Sequence, residues 1–246
     1  MKSFFSRIIH SRPPSIAPGS DNRPVGDMRA FLEDVKVRGF LPNYILDVGA
    51  NYGLWSETAR EVFPNAIFTM IEPQIEMKSH LDRFCERSPG SRWINAGAGP
   101  VPGELALTVW PDLAGSSFLP TEEDAKAYNK DRRVVPVITI DSLFKDDKQP
   151  VPELVKMDIQ GFELEALKGA TAILEHTELI ILETSTFSFQ TRQPVMSEVI
   201  AFMAEKGFQV YDFCGFLRRP CDGALGQADI AFARANGMLR ANAGWC

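Results

Sequence analysis

The sequence predicts an α/β fold with one mostly parallel sheet of seven strands, a C-terminal antiparallel hairpin and an inserted β-hairpin. Apolar strand patterns alternate with helical patterns from residue 44 to residue 206, as in parallel sheets whose strands are joined by crossover helices. The last two strand patterns have no helix between them, so we expect them to be antiparallel, because a parallel pair needs a crossover of about a dozen residues. Two earlier segments alternate apolar and polar residues, which predicts the inserted hairpin.

Local turn signals bound most of the predicted elements. Pro64, the pair Pro89 and Gly90, and Gly207 end three helices, since proline lacks a backbone N–H and glycine favours turns. Pro136 restricts its strand to a sheet edge or a bulge. The predicted strands are 44–48, 66–71, 92–98, 104–110, 134–140, 154–159, 179–183, 209–213 and 228–233. The predicted helices are 27–39, 54–62, 76–87, 162–174 and 195–206.

Length and charge narrow the function classes. A chain of 246 residues, 45% of them hydrophobic, can bury a sizeable core without a metal or a disulfide. The 26 basic and 32 acidic residues give a net charge of −6, which argues against a protein that mainly binds nucleic acid. No stretch approaches the roughly 20 apolar residues that span a bilayer. We therefore expect no nucleic-acid partner and no transmembrane segment.

The four cysteines, Cys85, Cys214, Cys221 and Cys246, are scattered and form no C-x-x-C pair. They predict free thiols in a reducing compartment, with a disulfide between Cys214 and Cys221 as the alternative. Because neither a secretory signal nor a disulfide pattern is visible, we expect a cytoplasmic protein.

The first 26 residues are predicted to be a flexible segment that precedes a single domain spanning 27–246. Residues 11–26 contain four prolines and two glycines, a composition typical of linkers. Helical periodicity resumes at Met28, which places the start of the compact domain there.

A glycine-rich turn joins the first strand to the next helix. Its pattern is D-x-G-x-N-x-G, formed by Asp47, Gly49, Asn51 and Gly53. Glycine allows a tight turn and close approach of a ligand, and the following helix N-terminus offers free N–H groups. A dinucleotide site favours G-x-G-x-x-G around a pyrophosphate, which the Asp47 carboxylate would repel. The turn instead suits an ammonium-bearing zwitterion such as S-adenosylmethionine; a plain turn capped by Asn51 is the alternative.

Two further strand ends complete the predicted cofactor site. Glu72 follows the second strand, where an acidic residue can accept hydrogen bonds from both ribose hydroxyls of an adenosine. Asn95, Ala96 and Gly97 end the third strand and would border the adenine. An ordinary surface or loop position is the alternative for each of these residues.

Carboxylates also end the two strands that would carry the chemistry. Asp158 and Glu183 follow parallel strands and therefore project to the same edge of the sheet. We predict Asp158 as the catalytic base, with Glu183 or Lys156 as helper, since none of the three histidines is well placed. The two carboxylates could also hold Mg²⁺, although no fuller ligand cluster is visible. Glu163 either contacts the substrate or complements the dipole of its helix.

These motifs together resemble the FkbM family of S-adenosylmethionine-dependent methyltransferases. The resemblance spans roughly residues 40–235, and its most specific part is Lys-x-Asp-x-Gln/Glu-Gly-x-Glu followed by Leu-x-Gly-Ala. The matching segments are ILDVGANYGLWS (45–56), MIEP (70–73), GSSF (115–118), VITIDSL (137–143), LVKMDIQGFELEALKGA (154–170), IILETS (180–185) and GQADIAFAR (226–234).

The resemblance implies a class I methyltransferase (Rossmann-like) fold and transfer of a methyl group to a hydroxyl. The cofactor would be S-adenosylmethionine, the product S-adenosylhomocysteine, and the acceptor a small molecule, a sugar or glycan, or a secondary metabolite. The polar loop 111–133 would cover the cleft near Ser116 and Ser117, which with Glu163 would contact the substrate. Residue 160 is Gln where many relatives carry Glu, which leaves open the role of an acid at this position.

Two other function classes compete with this interpretation. An NAD-dependent Rossmann oxidoreductase lacks its G-x-G-x-x-G motif here, and a non-catalytic partner protein with a cofactor fold has no need of Asp47, Glu72 and Asp158 together. The aromatic residues Phe118, Phe187, Phe189 and Phe216 lie in loops expected to form the acceptor pocket. They favour a partly apolar or sugar-stacking acceptor, with a place in the core as the alternative. The sequence determines neither the acceptor nor the oligomeric state.

Overall fold

The structure, a computed structural model, describes residues 23–145, 150–242 and 244. The strands are β1 Tyr44–Val48, β2 Ile67–Ile71, β3 Arg92–Ile94, β4 Gly97–Ala98, β5 Gly103–Val109, β6 Asp131–Ile138, β7 Leu154–Met157, β8 Leu179–Ser185, β9 Phe208–Arg218 and β10 Leu225–Arg234. The α-helices are α1 Met28–Val37, α2 Leu54–Val62, α3 Lys78–Arg87, α4 Glu122–Ala127, α5 Glu163–Lys168, α6 Thr171–Leu174 and α7 Met196–Glu205. Short 3₁₀ helices lie at Ile75–Met77, Ile140–Phe144 and Met238–Arg240.

Seven strands form the main sheet in the order β3-β2-β1-β7-β8-β10-β9. The first five of these pair in parallel, and β10 is antiparallel to both β8 and β9. The predicted class I methyltransferase fold, with its mostly parallel sheet and closing antiparallel hairpin, is therefore confirmed. Because β1 and β7 are neighbours at the centre, the turn after β1 and the residues after β7 meet at one edge of the sheet.

Helices cover both faces of the sheet. Successive strand residues point to opposite faces, so Ile45 joins the core beneath α1, α2 and α3, whereas Leu46 and Val48 join the core beneath α5, α6 and α7. The near-continuous apolar runs that predicted buried strands are explained by this double coverage.

The third predicted strand is in fact two short strands in different sheets. Arg92–Ile94 pairs with β2 in the main sheet, while Gly97–Ala98 pairs with β6 in a second sheet of order β4-β6-β5. A run of alternating residues shows that a segment is extended, but it does not show where the segment changes its partner.

The inserted hairpin is confirmed as antiparallel pairing of β5 with β6, but it is not a tight hairpin. The connection contains α4, whose N-terminus has a capping box formed by Thr121 and Asp124, so the prediction of a continuous polar loop to residue 133 was wrong. Pro136 lies in the central strand of this sheet, without a bulge in its pairing with β5, contrary to the sheet edge or bulge predicted. It is tolerated because β4 pairs only with Val137 and Ile138.

Three smaller differences concern element ends and termini. The predicted helix 162–174 divides into α5 and α6 at Gly169, and β9 and β10 are longer than predicted. Residues 1–22 of the predicted N-terminal segment lie outside the described residues, whereas Gly26 donates a backbone hydrogen bond to Phe213 of β9. No helix within the described ranges combines the length and the apolar character needed to cross a bilayer.

The described cysteines are free thiols. Cys214 is buried, Cys85 is half-buried and Cys221 is exposed. The predicted thiol state is thus confirmed for these three residues, and the alternative disulfide between Cys214 and Cys221 is absent.

Gly49→Ala tests the contact between the central strand ends. Gly49 has φ +78°, and a Cβ there would lie 2.0 Å from the backbone oxygen of Asp158. We expect a loss of at least about 3 kcal/mol in the free energy of unfolding, from left-handed strain and from this clash. Urea denaturation measures the change. Gly103→Ala is the control, because a Cβ at Gly103 meets nothing within 4 Å; equal effects of the two changes would contradict the prediction.

Candidate active site

A cleft that is open to solvent on one side lies over the carboxyl ends of β1, β2 and β7. Open α/β sheets bind their ligands at this edge. Its wall includes the turn after β1, the residues after β2 and β7, and the loop that follows β5. Predicted site residues that line it are Gly49, Asn51, Glu72, Gly97, Ser116, Lys156 and Asp158.

The turn after β1 is held by left-handed backbone conformations. Gly49, Asn51 and Gly53 have φ values of +78°, +47° and +74°, and asparagine tolerates this region better than other non-glycine residues. The turn leads directly into α2, whose first residues Leu54 and Trp55 line the cleft. The first N–H groups of a helix have no intrahelical acceptor and carry partial positive charge. This end of the cleft therefore suits a carboxylate.

Glu72 connects three parts of the wall. Its carboxylate is buried and accepts hydrogen bonds from the backbone N–H of Asn51 at 2.8 Å and of Gln74 at 2.9 Å. Burial raises the pKa of Glu72 above its ordinary value, against the effect of these hydrogen bonds. Oε1 also accepts from Gln74 Nε2 at 3.3 Å, whereas Oε2 accepts only from Asn51. Because each carboxylate oxygen can accept two hydrogen bonds, Oε2 retains capacity for a ligand hydroxyl.

The loop after β5 is tied across the cleft by two predicted substrate residues. Ser116 Oγ donates to the Gln74 side chain at 3.0 Å, and Gln74 Nε2 donates to the Leu113 carbonyl at 2.8 Å. Ser117 Oγ donates to the Gln160 carbonyl at 2.9 Å. The hydroxyls of Ser116 and Ser117 thus hold the loop in place from both sides, and Ser117 itself is buried.

Asp47 lies behind the turn and does not line the cleft. It accepts a hydrogen bond from Ser56 Oγ at 2.7 Å and lies 3.8 Å from Lys156 Nζ. Burial raises the pKa of Asp47, while Lys156 and Ser56 oppose the shift. Its Oδ1 atom is buried without a hydrogen bond. Asp47 is therefore placed to orient Ser56 of α2 and to compensate Lys156.

A chain of side chains joins the ends of β7 and β8. Lys156 Nζ lies 3.4 Å from Asp158 Oδ2, and Gln160 Nε2 donates to Asp158 Oδ1 at 2.8 Å and to Glu183 Oε2 at 3.0 Å. Gln227 Nε2 donates to the same Glu183 oxygen at 2.9 Å. A single amide nitrogen of Gln160 thus bridges the two predicted catalytic carboxylates.

Charge in this region is concentrated around the buried Lys156, and its carboxyl groups are only partly exposed to solvent. Burial raises the pKa of Glu183 well above its ordinary value, and Asp158 and Asp229 add to the shift. Burial and then Asp158 raise the pKa of Asp229 to about 6. Burial lowers the pKa of Lys156, but the surrounding carboxyls outweigh it and raise the pKa overall. The ammonium is therefore retained at neutral pH.

The remaining predicted residues lie outside the cleft wall. Asn95 is exposed and donates to the carbonyls of Glu72 and Pro73, both at 3.0 Å, and Ala96 is buried. Gly53 caps α2. Glu163 is buried and accepts from the backbone N–H of Ile159 at 2.9 Å and of Gly161 at 3.2 Å, so it braces the turn after β7. Glu183 lines a smaller neighbouring cavity.

Sequence reasoning assigned no role to four residues that the structure brings to the site: Gln74, Gln160, Gln227 and Asp229. The sequence did contain a signal for one of them, because residue 160 is Gln where many relatives carry Glu. Within the described ranges, no group of three or more His, Cys, Asp or Glu side chains is arranged to hold a metal ion.

Comparison with known proteins identifies the family. A model described as the Methyltransferase FkbM domain matches residues 47–210, more than half of the chain. The chain belongs to the FkbM methyltransferase family. Its cofactor is S-adenosylmethionine, and the expected enzyme class is thereby confirmed.

Individual relatives are more distant. The chain is 28% identical over 197 residues to methyltransferase sdnD of Sordaria araneosa, covering 68% of this chain and 74% of that protein. It is 27% identical over 160 residues to the hexuronic acid methyltransferase AglP of Haloferax volcanii, covering 63% and 60% respectively. A solved magnesium protoporphyrin IX methyltransferase from Synechocystis PCC 6803 aligns with 84% of this chain and 76% of that one, at 11% identity and a TM-score of 0.48.

The residues of the cleft fit S-adenosylmethionine. The free N–H groups at the start of α2 would hold the carboxylate of its methionine part, and Glu72 would accept a hydrogen bond from a ribose hydroxyl. The indole N–H of Trp55, whose residue lines the cleft, is buried without a partner. When bound, the cofactor supplies an electrophilic methyl group on a sulfonium.

Glu163→Gln tests how the buried Glu163 carboxyl supports the turn after β7. Burial raises the pKa of Glu163 from 4.5 to about 7, so its ionised form is favoured by unfolding. The stability that the protonated Glu163 carboxyl contributes is therefore fully present below about pH 4.5 and is lost as the pH rises through about 7. We expect the variant to exceed the wild type by up to roughly 3 kcal/mol in unfolding free energy at pH 8, and to match it near pH 4.

Urea denaturation across pH 4–8 measures this difference. Glu165→Gln is the control, because Glu165 lies in the same helix turn but reaches solvent beside Lys168. A Glu163→Gln protein that is less stable than the wild type at pH 8 would show that the turn requires the ionised carboxylate.

Proposed function

We propose that the protein transfers the methyl group of S-adenosylmethionine to a hydroxyl of a small molecule, a sugar or a secondary metabolite. The observation that carries the proposal is the pair Asp158 and Glu183, bridged by Gln160 at the edge of the cofactor cleft. A hydroxyl must release its proton when it is methylated, and a carboxylate within hydrogen-bond reach can accept it.

Asp158 is the group that we assign as general base. It lines the cleft directly, whereas Glu183 lies one side chain further away in the neighbouring cavity. Lys156 at 3.4 Å and the Gln160 amide at 2.8 Å hold the Asp158 carboxylate in position. Glu183 acts through the Gln160 bridge, as a positioning residue.

The charge of this edge favours a hydroxyl over a carboxylate acceptor. At this edge of the sheet, the three carboxyls of Asp158, Glu183 and Asp229 lie around the single ammonium of Lys156. An anionic acceptor would be repelled, and a carboxylate needs no base to be methylated. Methylation of a hexuronic acid, the activity in the name of one distant relative, is the second candidate function. Analysis of the methylated product distinguishes it from methylation of a neutral hydroxyl compound.

Asp158→Asn tests the assignment of the base. We expect kcat to fall at least about 100-fold, because proton acceptance contributes a factor of this order. Binding of S-adenosylmethionine, measured by calorimetry, should change little. Asp131→Asn, at an exposed position of the small sheet, is the control. An Asp158→Asn enzyme with normal turnover would remove Asp158 from the chemistry.

The reaction itself is followed with S-adenosylmethionine labelled with ¹³C in the methyl group. Neutral methyl pyranosides, phenols, secondary alcohols and uronic acids serve as acceptors, and NMR identifies the atom that receives the label. An ether product supports the proposal. A methyl ester, or a methyl on nitrogen or carbon, would contradict it.

Gln160→Glu tests the bridge between the carboxylates. The change replaces two donated hydrogen bonds with a third negative charge beside Asp158 and Glu183, and like charges raise the pKa of neighbouring carboxyls. We expect the acid limb of the kcat profile to move at least about one pH unit toward higher pH. Gln209→Glu adds the same charge at an exposed position of β9 and should leave the profile unmoved.

A further inference from the structure

The loop after β5 forms a strap across the cofactor cleft, and we use the word strap for residues 110–116. Its two ends are joined by Thr108 and Ser117, whose backbone groups exchange hydrogen bonds of 2.9 and 3.1 Å. Between these ends, Leu113 and Ser116 line the cleft. Short loops whose ends lie close together move as compact units. The strap can therefore swing about its joined ends while β5 stays paired with β6.

The strap covers the carboxylate that is expected to hold the ribose. Glu72 is only 2% exposed and Gln74 only 4%, although both residues line the cleft. Glu72 Oε1 accepts hydrogen bonds from the backbone N–H of Gln74 at 2.9 Å and from its Nε2 at 3.3 Å. A hydrogen bond needs contact between its donor and its acceptor, so a ribose hydroxyl reaches Glu72 only when part of this wall moves.

A single glutamine side chain fastens the strap. Gln74 Nε2 donates to the Leu113 carbonyl at 2.8 Å, and Gln74 Oε1 accepts from Ser116 Oγ at 3.0 Å. Asn51 Nδ2 adds a longer hydrogen bond of 3.4 Å to the same carbonyl. Asn51 and Gln74 are also the residues whose backbone N–H groups donate to Glu72. The strap is thus fastened to the two residues that hold the Glu72 carboxylate.

The fastened strap contains backbone strain. Leu113 has φ +59°, in the left-handed region that a bulky residue other than glycine rarely adopts. Its side chain packs against the core beneath α1, α2 and α3 and against the core of the small sheet. Such a conformation persists only while its surroundings hold it, and it is typical of ligand clamps and switch regions. Loss of the Gln74 hydrogen bonds therefore favours opening of the strap.

We propose that Gln74 is the latch of a gate for the cofactor. Its side chain releases Leu113 and Ser116 to let S-adenosylmethionine enter and S-adenosylhomocysteine leave, and it fastens the strap again in between. Gln74 is a positioning residue, because it acts through the strap and through Glu72. The inference concerns passage of the cofactor, so it goes beyond the proposed function and does not depend on which acceptor is methylated. Opening of such loops limits the turnover of many enzymes.

Stopped-flow tryptophan fluorescence of the full chain measures the gate, because Trp55 lines the cleft and Trp110 begins the strap. The protein is mixed with S-adenosylhomocysteine over a range of concentrations, and dissociation is followed by rapid dilution of the complex. We expect the observed binding rate to reach a plateau at high concentration, because opening precedes binding.

Gln74→Met tests the latch, because methionine has a similar length and lacks the amide. We expect the plateau rate and the dissociation rate each to rise at least about tenfold, since three side-chain hydrogen bonds are lost. The equilibrium affinity, measured by calorimetry, should change less than either rate, because the same opening precedes entry and release.

Ser116→Ala is the second variant, and it guards against a Gln74→Met protein that fails to fold. It removes one hydrogen bond to the latch, so both rates should rise at least about threefold. Gln209→Met and Ser79→Ala, at exposed positions of β9 and α3, are the matched controls and should bind S-adenosylhomocysteine as the wild type does.

Four outcomes would overturn the latch. A binding rate that increases linearly with concentration, without a plateau, would show that no opening step precedes binding. Weaker binding and faster dissociation of Gln74→Met with an unchanged plateau would show that Gln74 only supports Glu72. Unchanged rates in both variants, or a wild type that does not bind S-adenosylhomocysteine, would also contradict the proposal. The ¹³C product analysis tests the proposed hydroxyl methylation separately, so the two proposals can fail independently.

Discussion

The site depends on the attraction between the buried ammonium of Lys156 and the carboxyls around it. Carboxyls at or near the ends of four neighbouring strands surround it: Asp47 of β1, Asp158 after β7, Glu183 of β8 and Asp229 of β10. The nearest contacts are 3.4 Å to Asp158 and 3.8 Å to Asp47. Without a buried cation these carboxyls would repel one another in a region of low dielectric. Their attraction outweighs the effect of burial on the pKa of Lys156, so the charge that compensates them persists at neutral pH.

Close backbone contact couples this charge cluster to the cofactor turn. Gly49 approaches the Asp158 carbonyl so nearly that no side chain fits between them, and the N–H of Asp158 donates to the Val48 carbonyl at 3.0 Å. The position of the methyl donor and that of the proposed base are therefore set by one rigid junction of β1 and β7. Rate enhancement through alignment of reacting groups depends on rigidity of this kind.

Several residues around the site adopt arrangements that lower the stability of the folded chain. Asn51 and Gln160 adopt left-handed backbone conformations, Asp47 has a buried oxygen without a hydrogen bond, and Asp229 lies opposite Glu183. Each is unfavourable for folding alone, and such features concentrate at functional sites. The amide of Gln160 moderates this cost, because it donates one hydrogen bond to each of two carboxylates that a Glu at this position would repel.

Local patterns in the sequence determined the order of the elements, the glycine turn after β1 and the carboxylates that end β7 and β8. These features depend on residue spacing within a few turns or strand lengths, so they could be predicted from the sequence and were located correctly. Seven of the predicted site residues line the cleft. Assignments that depended on a side chain's direction were less secure: Asp47 lies behind the turn, and Glu163 braces the backbone.

Only the tertiary structure decided which residues meet across the sheet. The division of the third strand between two sheets, the amide bridge of Gln160 and the grouping of carboxyls around Lys156 depend on contacts between residues far apart in the chain. The pairing of Asp229 with both Glu183 and Gly215 depends on the registers of β8, β10 and β9. A shift of one residue in register moves every side chain to the other face of the sheet, and no local pattern in the sequence specifies that register.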